Sequence, residues 1–213
     1  MKRPLLQLHR LLALVFVVLA TTAKAEPFSP SPATQAQFEA IKQGGYVLFI
    51  RHGPTDSSQP DQVPVDLNDC TTQRPLSDTG REIMQRVGQY FHQSAIPFDK
   101  VYSSPLCRAY ETSEILFGQG GYEVDPNLLY VAALTSDEKK PIVARTQELL
   151  STPTAADTNR ILVAHGPNMV EVMEYFPVEG TLVIIRPHAD GSGFDYIASI
   201  EPDHWANLLD TAE

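Results

Sequence analysis

Two short apolar runs, each followed closely by the tripeptide His-Gly-Pro, constrain the fold of this chain more than any other feature. The first run covers residues 46–50 and leads through Arg51 to His52, and the second covers residues 160–164 and leads to His165. Continuous apolar runs of this length are typical of strands that are buried on both faces, as in parallel sheets. The sequence therefore predicts two core strands that each end beside a histidine.

Helical and strand patterns alternate through the rest of the chain. Ser77 is suited to cap a helix that extends to about residue 94, and Ser104 with Pro105 is expected to open another. The other predicted strands cover residues 99–103, 122–124, 181–185 and 194–200, and the predicted helices also include residues 34–43, 104–117, 137–150 and 169–175. This alternation predicts an α/β fold, a three-layer sandwich whose largely parallel central sheet is flanked by helices.

The first 25 residues have the pattern of a cleaved signal peptide. A basic start precedes an apolar run over residues 11–20, and Ala23-Lys24-Ala25 supplies a small-x-small site before Glu26. The apolar run is shorter than the roughly 20 residues that a membrane-spanning helix needs. The sequence thus predicts a single domain over residues 26–213 that is periplasmic or secreted, without stable membrane insertion after cleavage. An uncleaved anchor is the alternative.

Charge limits the partners of the predicted mature chain. Loss of residues 1–25 removes four basic residues and no acidic one, so the formal net charge falls from −10 to −14. A surface of this charge repels nucleic acid, and no nucleic-acid partner is expected. If the substrate is a small phosphorylated molecule, the positive charge that binds it must be concentrated in one pocket.

Residues 53–74 have neither helical nor strand periodicity and are predicted to form a long surface loop, a kind of segment that often serves function. Arg74, at its end, either faces solvent or reaches a bound phosphate. The loop's aspartates lack the spacing of a calcium loop and are interpreted as a solvated face; they are Asp56, Asp61, Asp66 and Asp69. Because no His, Asp or Glu cluster has metal-ligand spacing, we expect neither a metal nor another cofactor.

The histidines that follow the two strands indicate a phosphate site. Ligands of open α/β sheets bind beyond the carboxyl ends of the strands, so His52 and His165 would face each other if their strands are neighbours. Arg51 adjoins the first histidine, and Arg108 follows the strand over residues 99–103. Guanidinium groups match phosphate oxygens in geometry, and an imidazole nitrogen can attack phosphorus.

Four separated segments of the chain resemble the histidine phosphatase superfamily, which has a phosphoglycerate-mutase-like fold. Residues 49–55 are similar to its strand-then-Arg-His-Gly signature, and residues 76–81 resemble its helix-opening Leu-Ser-x-x-Gly segment. Residues 102–112 are similar to its Ser-Ser-Pro-x-x-Arg-Ala-x-x-Thr segment, and residues 163–166 resemble its second-histidine segment. The order and spacing of these four segments also resemble the family, and together the segments span nearly the whole predicted mature chain.

The resemblance implies that His52 is the phosphorylated nucleophile and that Arg51, Arg108 and His165 form the phosphate pocket. It implies metal-independent hydrolysis of a small phosphorylated substrate.

Further residues are expected around this pocket. Thr55 and Asn168 are placed at its edge as substrate-binding residues. Gly53 and Gly166 are expected to leave room for the substrate beside each imidazole.

The two cysteines, Cys70 and Cys107, are an even count that permits one disulfide in an oxidising compartment. Two unpaired buried thiols are the alternative. Cys107 directly precedes Arg108 and Cys70 lies near the end of the long loop, so a disulfide between them would tether that loop beside the implied pocket.

One part of the family pattern is missing. Many members supply a general acid, usually Glu, from the loop after the Arg segment, but residues 125–130 read Asp-Pro-Asn-Leu-Leu-Tyr, and no Asp follows His165. Asp137, Glu138 and Glu179 are the remaining candidates. Either a displaced acid serves, or the natural leaving group needs little protonation.

Three functions are compatible with these features. The first is hydrolysis of a phosphomonoester, such as a sugar or envelope-glycan phosphate. The second is a catalytically weak phosphate-binding module of the same fold. The third, a phosphoglycerate-type mutase, is disfavoured because a mutase must exclude water and its usual substrates are cytosolic.

Overall fold

The computed structural model describes residues 28–210, so the predicted signal peptide lies outside the described part. Six strands and six α-helices are found there. The strands are β1 (Val47–Arg51), β2 (Phe98–Ser103), β3 (Glu123–Val124), β4 (Asn159–Ala164), β5 (Leu182–Pro187) and β6 (Phe194–Ile200). The helices are α1 (Gln35–Ile41), α2 (Asp78–Gln93), α3 (Cys107–Phe117), α4 (Ser136–Ser151), α5 (Gly166–Met173) and α6 (Trp205–Asp210). No helix within residues 28–210 is long and apolar enough to cross a membrane.

All six strands form one sheet in the order β3-β2-β4-β1-β5-β6. The first four strands in this order run parallel, and β5 and β6 are antiparallel to their neighbours. β1 and β4 are adjacent, with Arg51 opposite Ala164. The two strands that precede His52 and His165 are therefore neighbours, and their carboxyl ends lie at one edge of the sheet.

The sheet has a helical layer on each face, which confirms the predicted three-layer sandwich. Leu48 and Ile50 of β1 pack in a core with α1, α2, α3 and α6, whereas Val47 and Phe49 pack with α4 and α5. Successive side chains of a strand point to opposite faces. An uninterrupted apolar strand is the pattern that a sheet covered on both sides requires.

Helix starts agree with the sequence at α2 but not at α3. The Ser77 hydroxyl accepts a hydrogen bond from the Gly80 N–H, as predicted for the N-cap of α2. Helix α3 begins at Cys107 with Leu106 as its N-cap, so the predicted cap at Ser104 is wrong. The Ser104 hydroxyl is instead hydrogen-bonded to the ring of His165. A long-range contact thus displaces the local capping preference of serine.

Candidate active site

His52 and His165 lie side by side beyond the ends of β1 and β4. Their ring centroids are 5.2 Å apart, and both side chains are buried. The His52 N–H donates to the Ala164 carbonyl, which joins the two strand ends directly. The adjacency of the parallel strands therefore produces the pair of imidazoles that the sequence predicts.

The ring of His52 is fixed in one tautomer by its neighbour in the chain. Its Nδ1 lies 2.9 Å from the Gly53 carbonyl, and a carbonyl only accepts, so Nδ1 carries the hydrogen. In a neutral ring the lone pair is then on Nε2. The Gly53 N–H donates to the Thr112 hydroxyl, which holds this turn against α3. His52 thus has the form of a nucleophile that needs no separate base.

His165 is oriented by Ser104, a residue that sequence reasoning did not assign to the site. Its Nε2 lies 2.7 Å from the Ser104 hydroxyl, and that hydroxyl already accepts from the Leu106 N–H. When the hydrogen of the neutral His165 ring is on Nδ1, the Ser104 hydroxyl donates to Nε2. Nδ1 is buried without a protein partner among the described residues, so it is available to donate to an anion.

Arg108 and Arg74 bring positive charge to the two imidazoles. The buried Arg108 guanidinium is 2.9 Å from an Asp61 carboxylate oxygen, while its Nε and one terminal nitrogen lack partners among the described residues. The same Asp61 oxygen accepts from the Arg74 backbone N–H. The prediction that Asp61 belongs to a solvated loop face is wrong, because a tertiary ion pair draws it to the pocket. Arg74, whose position the sequence left open, lies on the pocket side.

Arg51 approaches the site from the other side and is held by Glu179. Nη1 of Arg51 donates to the Pro177 carbonyl at 2.7 Å, and Nη2 donates to the Glu179 carboxylate at 3.2 Å. The Thr55 N–H and hydroxyl also donate to the Glu179 carboxylate. Thr55 is therefore at the pocket edge as expected, with Glu179 between it and Arg51; its contact with substrate stays a prediction.

Asn168 is buried near the second histidine and supports the segment opposite it. Its Nδ2 donates to the Leu129 carbonyl at 3.1 Å. Next to Leu129, the ring of Tyr130 packs edge-on against His165 and beneath the Arg108 guanidinium. Asn168 thus positions Tyr130, and its predicted contact with substrate stays a prediction.

The two glycines after the histidines serve packing. A Cβ on Gly53 would collide with the Met84 side chain, and one on Gly166 would collide with the Phe176 ring. The expectation that they leave open room for the substrate is therefore wrong. They allow α2 and the segment after α5 to approach the imidazoles closely, which helps to bury both rings.

Two of the predicted general acids lie outside the site. Asp137 pairs with Lys140 on an exposed turn of α4, and Glu138 caps the same helix through Thr135. Asp125, in the loop where the family acid is expected, pairs with Arg145 at 2.7 Å. Glu179 is the candidate acid that the structure brings to the pocket. Within residues 28–210, no three His, Cys, Asp or Glu side chains are arranged to hold a metal ion.

Cys70 and Cys107 form a disulfide, which confirms the predicted pairing. Cys107 is the first residue of α3, directly before Arg108, and its backbone N–H donates to the Gln73 side chain. The bond therefore ties the end of the long loop to the helix that carries Arg108. Asp61 belongs to the same loop, so the disulfide lies close to the ion pair described above.

Burial and the arginines together keep both imidazoles uncharged. Burial is the main cause that lowers the pKa of His52 well below the ordinary value, followed by the charge of Arg108. For His165, burial again comes first, followed by the neighbouring His52 and Arg108. Arg74 adds to both effects. A neutral His52 retains its lone pair at mildly acidic pH, where a free imidazole is protonated.

These lowered pKa values predict that acid destabilises the fold. In the unfolded chain both histidines take up protons near pH 6.5, whereas in the folded chain they do not. The unfolded state therefore binds more protons below that pH, and stability falls as the pH falls, by up to about 1.4 kcal/mol per pH unit for each buried histidine.

Urea unfolding at about pH 7.5 and about pH 5.5 measures the loss. A His52→Gln variant should lose about 1 kcal/mol less over this range. Equal losses in both proteins would contradict neutral burial of His52.

A comparison with known families finds a match over the part of the chain that carries β1 and the start of α3. A family model described as the histidine phosphatase superfamily, branch 1, matches residues 47–129, which contain Arg51, His52 and Arg108. The mitochondrial serine/threonine-protein phosphatase Pgam5 of Drosophila grimshawi is 30% identical over 82 residues. That match covers 38% of this chain and 25% of the fly protein, so the chain spans about a quarter of the length of the curated relatives it matches.

Solved structures resemble the fold over a larger part of the chain. The protein histidine phosphatase SixA, determined with tungstate, has a TM-score of 0.53 and 18% identity, and the match covers 76% of this chain and 99% of SixA. An Escherichia coli protein provisionally described as an alpha-ribazole-5′-P phosphatase has a TM-score of 0.56 and 16% identity, with 74% and 97% covered. These likenesses show the fold. The family model adds a sequence resemblance to the histidine phosphatase superfamily over residues 47–129.

Proposed function

We propose that this chain is a phosphatase that hydrolyses a phosphomonoester through a phosphohistidine on His52, without a metal or organic cofactor. The observation that carries the proposal is the form of the His52 ring. It is neutral, its Nδ1–H is fixed on the Gly53 carbonyl, and its Nε2 lone pair is free to attack. Nucleophilic catalysis by an imidazole requires this state of the ring.

The surrounding cations supply what the transferred group needs. A phosphoryl group in transfer spreads negative charge over its equatorial oxygens, and catalysis depends mainly on positioning and charge stabilisation. Arg51, Arg74 and Arg108 surround the imidazoles, and each has a buried nitrogen without a partner within residues 28–210. His165 adds the Nδ1 donor. We assign these groups to the phosphate oxygens, in place of the positive charge that a metal would provide.

The reaction then has two steps. Nε2 of His52 forms a bond to phosphorus while the ester P–O bond breaks, and the bonding pair leaves with the alcohol oxygen, which is protonated on release. Water next attacks the phosphohistidine, the P–N bond breaks, and its electron pair returns to Nε2. The proton that water releases to solvent replaces the one that the alcohol oxygen took from solvent in the first step. Inorganic phosphate and the alcohol are the products, and the enzyme is regenerated.

Rapid mixing with p-nitrophenyl phosphate in the presence of a chelator tests this proposal. We expect turnover that is unaffected by the chelator and, in samples quenched at alkaline pH, a phosphoryl group on the peptide that contains His52. Mass spectrometry of the digested protein locates the group. Turnover that requires an added metal, or a phosphoryl group on another residue, would contradict the proposal.

A catalytically weak phosphate-binding module is the second candidate, and one observation favours it. Asp61 and Glu179 pair with Arg108 and Arg51, and neither carboxylate is free to serve as an acid in this arrangement. Such a module would bind phosphate without turnover. Binding alone would appear as a rise in thermal stability, by about 2.7 kcal/mol at a ligand concentration 100 times Kd. That rise without hydrolysis of p-nitrophenyl phosphate at any pH would favour the module.

We propose further that the protein is exported after cleavage between Ala25 and Glu26, and that its substrate is found outside the cytoplasm. The amino-terminal sequence pattern supports this, as does the Cys70–Cys107 disulfide, a bond rare in reducing compartments. A sugar or envelope-glycan phosphate stays a prediction within this proposal. Export predicts a mature amino terminus at Glu26, and sequencing of protein recovered from cells checks it; an intact Met1 terminus would contradict it.

A further inference from the structure

An apolar cleft of about 320 Å³ lies next to the phosphate pocket. Three separate parts of the chain form its walls. The long loop contributes Val63 to Val65, the start of α3 contributes Leu106, and the segment before α4 contributes Leu129 and Leu134. These side chains lie outside the groups that we assign to the phosphate oxygens.

The cleft and the phosphate pocket share two wall residues. Asp61 lines the cleft and contacts the Arg108 guanidinium at 2.9 Å. Tyr130 also lines the cleft, and its ring packs against both Arg108 and His165. A molecule with its phosphoryl group on Arg108 and His165 would therefore extend its ester substituent past Tyr130 into the cleft.

The chemistry of the walls selects an apolar substituent. Asp61 is the charged residue of the lining, and its carboxylate is already engaged by Arg108. Gln62 offers a side-chain amide, but the rest of the lining is aliphatic apart from Tyr130. The cleft therefore disfavours the sugar or envelope-glycan phosphate that the sequence suggests, because the hydroxyl groups of a sugar would lose water there with few partners in return. Val63 is 95% exposed at the lip of the cleft, so a bound apolar group would also cover it.

On the basis of the proposed function, we infer that the cleft is the leaving-group subsite. It takes an aryl or arylalkyl substituent of the phosphate ester. Its volume has room for a ring and a short linker, because an apolar cavity of about 150 Å³ already holds benzene. The Tyr130 ring offers an edge or a face to an aromatic occupant. In an aryl ester the leaving oxygen is phenolic, and its charge is delocalised, so it needs less help from a proton donor. This suits a site where the nearby carboxylates are paired with arginines.

Binding of two phosphonates that share a propyl linker separates this subsite from catalysis. Phosphonates are not hydrolysed, so their Kd values, measured by calorimetry, do not depend on turnover. We expect 3-phenylpropylphosphonate to bind roughly tenfold more tightly than 3-hydroxypropylphosphonate, because a group that fills an apolar pocket gains about this factor. Hydrolysis of p-nitrophenyl phosphate, measured on the same protein, reports the proposed function separately.

Two variants of the same loop give a matched comparison. Val65 lines the cleft, whereas Leu67, two residues further on, is exposed and outside the lining. Val65→Asn should remove most of the preference for the phenyl compound and leave Kd for the hydroxypropyl compound within about twofold. Leu67→Asn should keep the preference. Equal Kd values for the two phosphonates in the wild-type protein, or an equal effect of both variants, would overturn the inference even if phosphatase activity is present.

Discussion

Replacement of His52 by alanine should lower kcat for p-nitrophenyl phosphate by at least about 10,000-fold, because it removes the atom to which the phosphoryl group is transferred. The arginines and His165 would remain, so the variant should still bind inorganic phosphate. Loss of turnover with retained binding separates the nucleophile from the groups that hold the anion. Steady-state kinetics and a phosphate-dependent thermal shift measure the two properties on the same sample.

Two further histidine variants serve as controls for this prediction. His165→Ala keeps the nucleophile but removes one donor to the phosphate oxygens, and we expect a loss of about 100-fold. His188→Ala alters an exposed histidine that contacts Ser192 and Asp195, away from the site, and should have no effect. If His52→Ala retained more than a hundredth of the wild-type kcat, another residue would be the nucleophile.

The convergence of the two histidines could be predicted from the sequence in every respect except the order of the strands. An apolar run that ends at His52 and another that ends at His165 predict two buried parallel strands. Parallel strands place their carboxyl ends at the same sheet edge. The structure adds that these two strands, β1 and β4, are adjacent. The register of Arg51 opposite Ala164 then fixes the distance between the rings.

The partners of the arginines could not be predicted in the same way. Asp61 lies in a loop without periodicity, where sequence gives no direction to a side chain, and its ion pair with Arg108 spans 47 residues. Glu179 follows α5 in an irregular segment and reaches Arg51 and Thr55 only through the fold. The helix cap predicted at Ser104 is wrong because the local preference of serine for a helix start takes no account of a contact with a histidine 61 residues away.

The disulfide between Cys70 and Cys107 should contribute a large part of the stability of the fold. It closes a stretch of chain with a sequence separation of 37. In the chain-entropy model, a loop of this length removes enough freedom from the unfolded state to stabilise the protein by about 4 kcal/mol. A Cys70→Ser, Cys107→Ser double variant should therefore lose about 3–4 kcal/mol in urea unfolding and about 10 °C in Tm. Reductant should weaken the wild-type protein by a similar amount and leave the double variant unchanged.

The location of this bond extends the prediction to the active site. Cys107 precedes Arg108, and Gln73 and Asp61 of the tethered loop contact α3 through the Cys107 N–H and the Arg108 guanidinium. When the covalent tie is removed, these two contacts still join the loop to α3, but an ion pair that is partly open to water holds it weakly. We therefore expect KM for p-nitrophenyl phosphate to rise while the His52 phosphoenzyme still forms. If the double variant loses less than about 1 kcal/mol and keeps its KM, the contacts of Gln73 and Asp61 would suffice to fix the loop, and the disulfide would not be needed to keep Asp61 on Arg108.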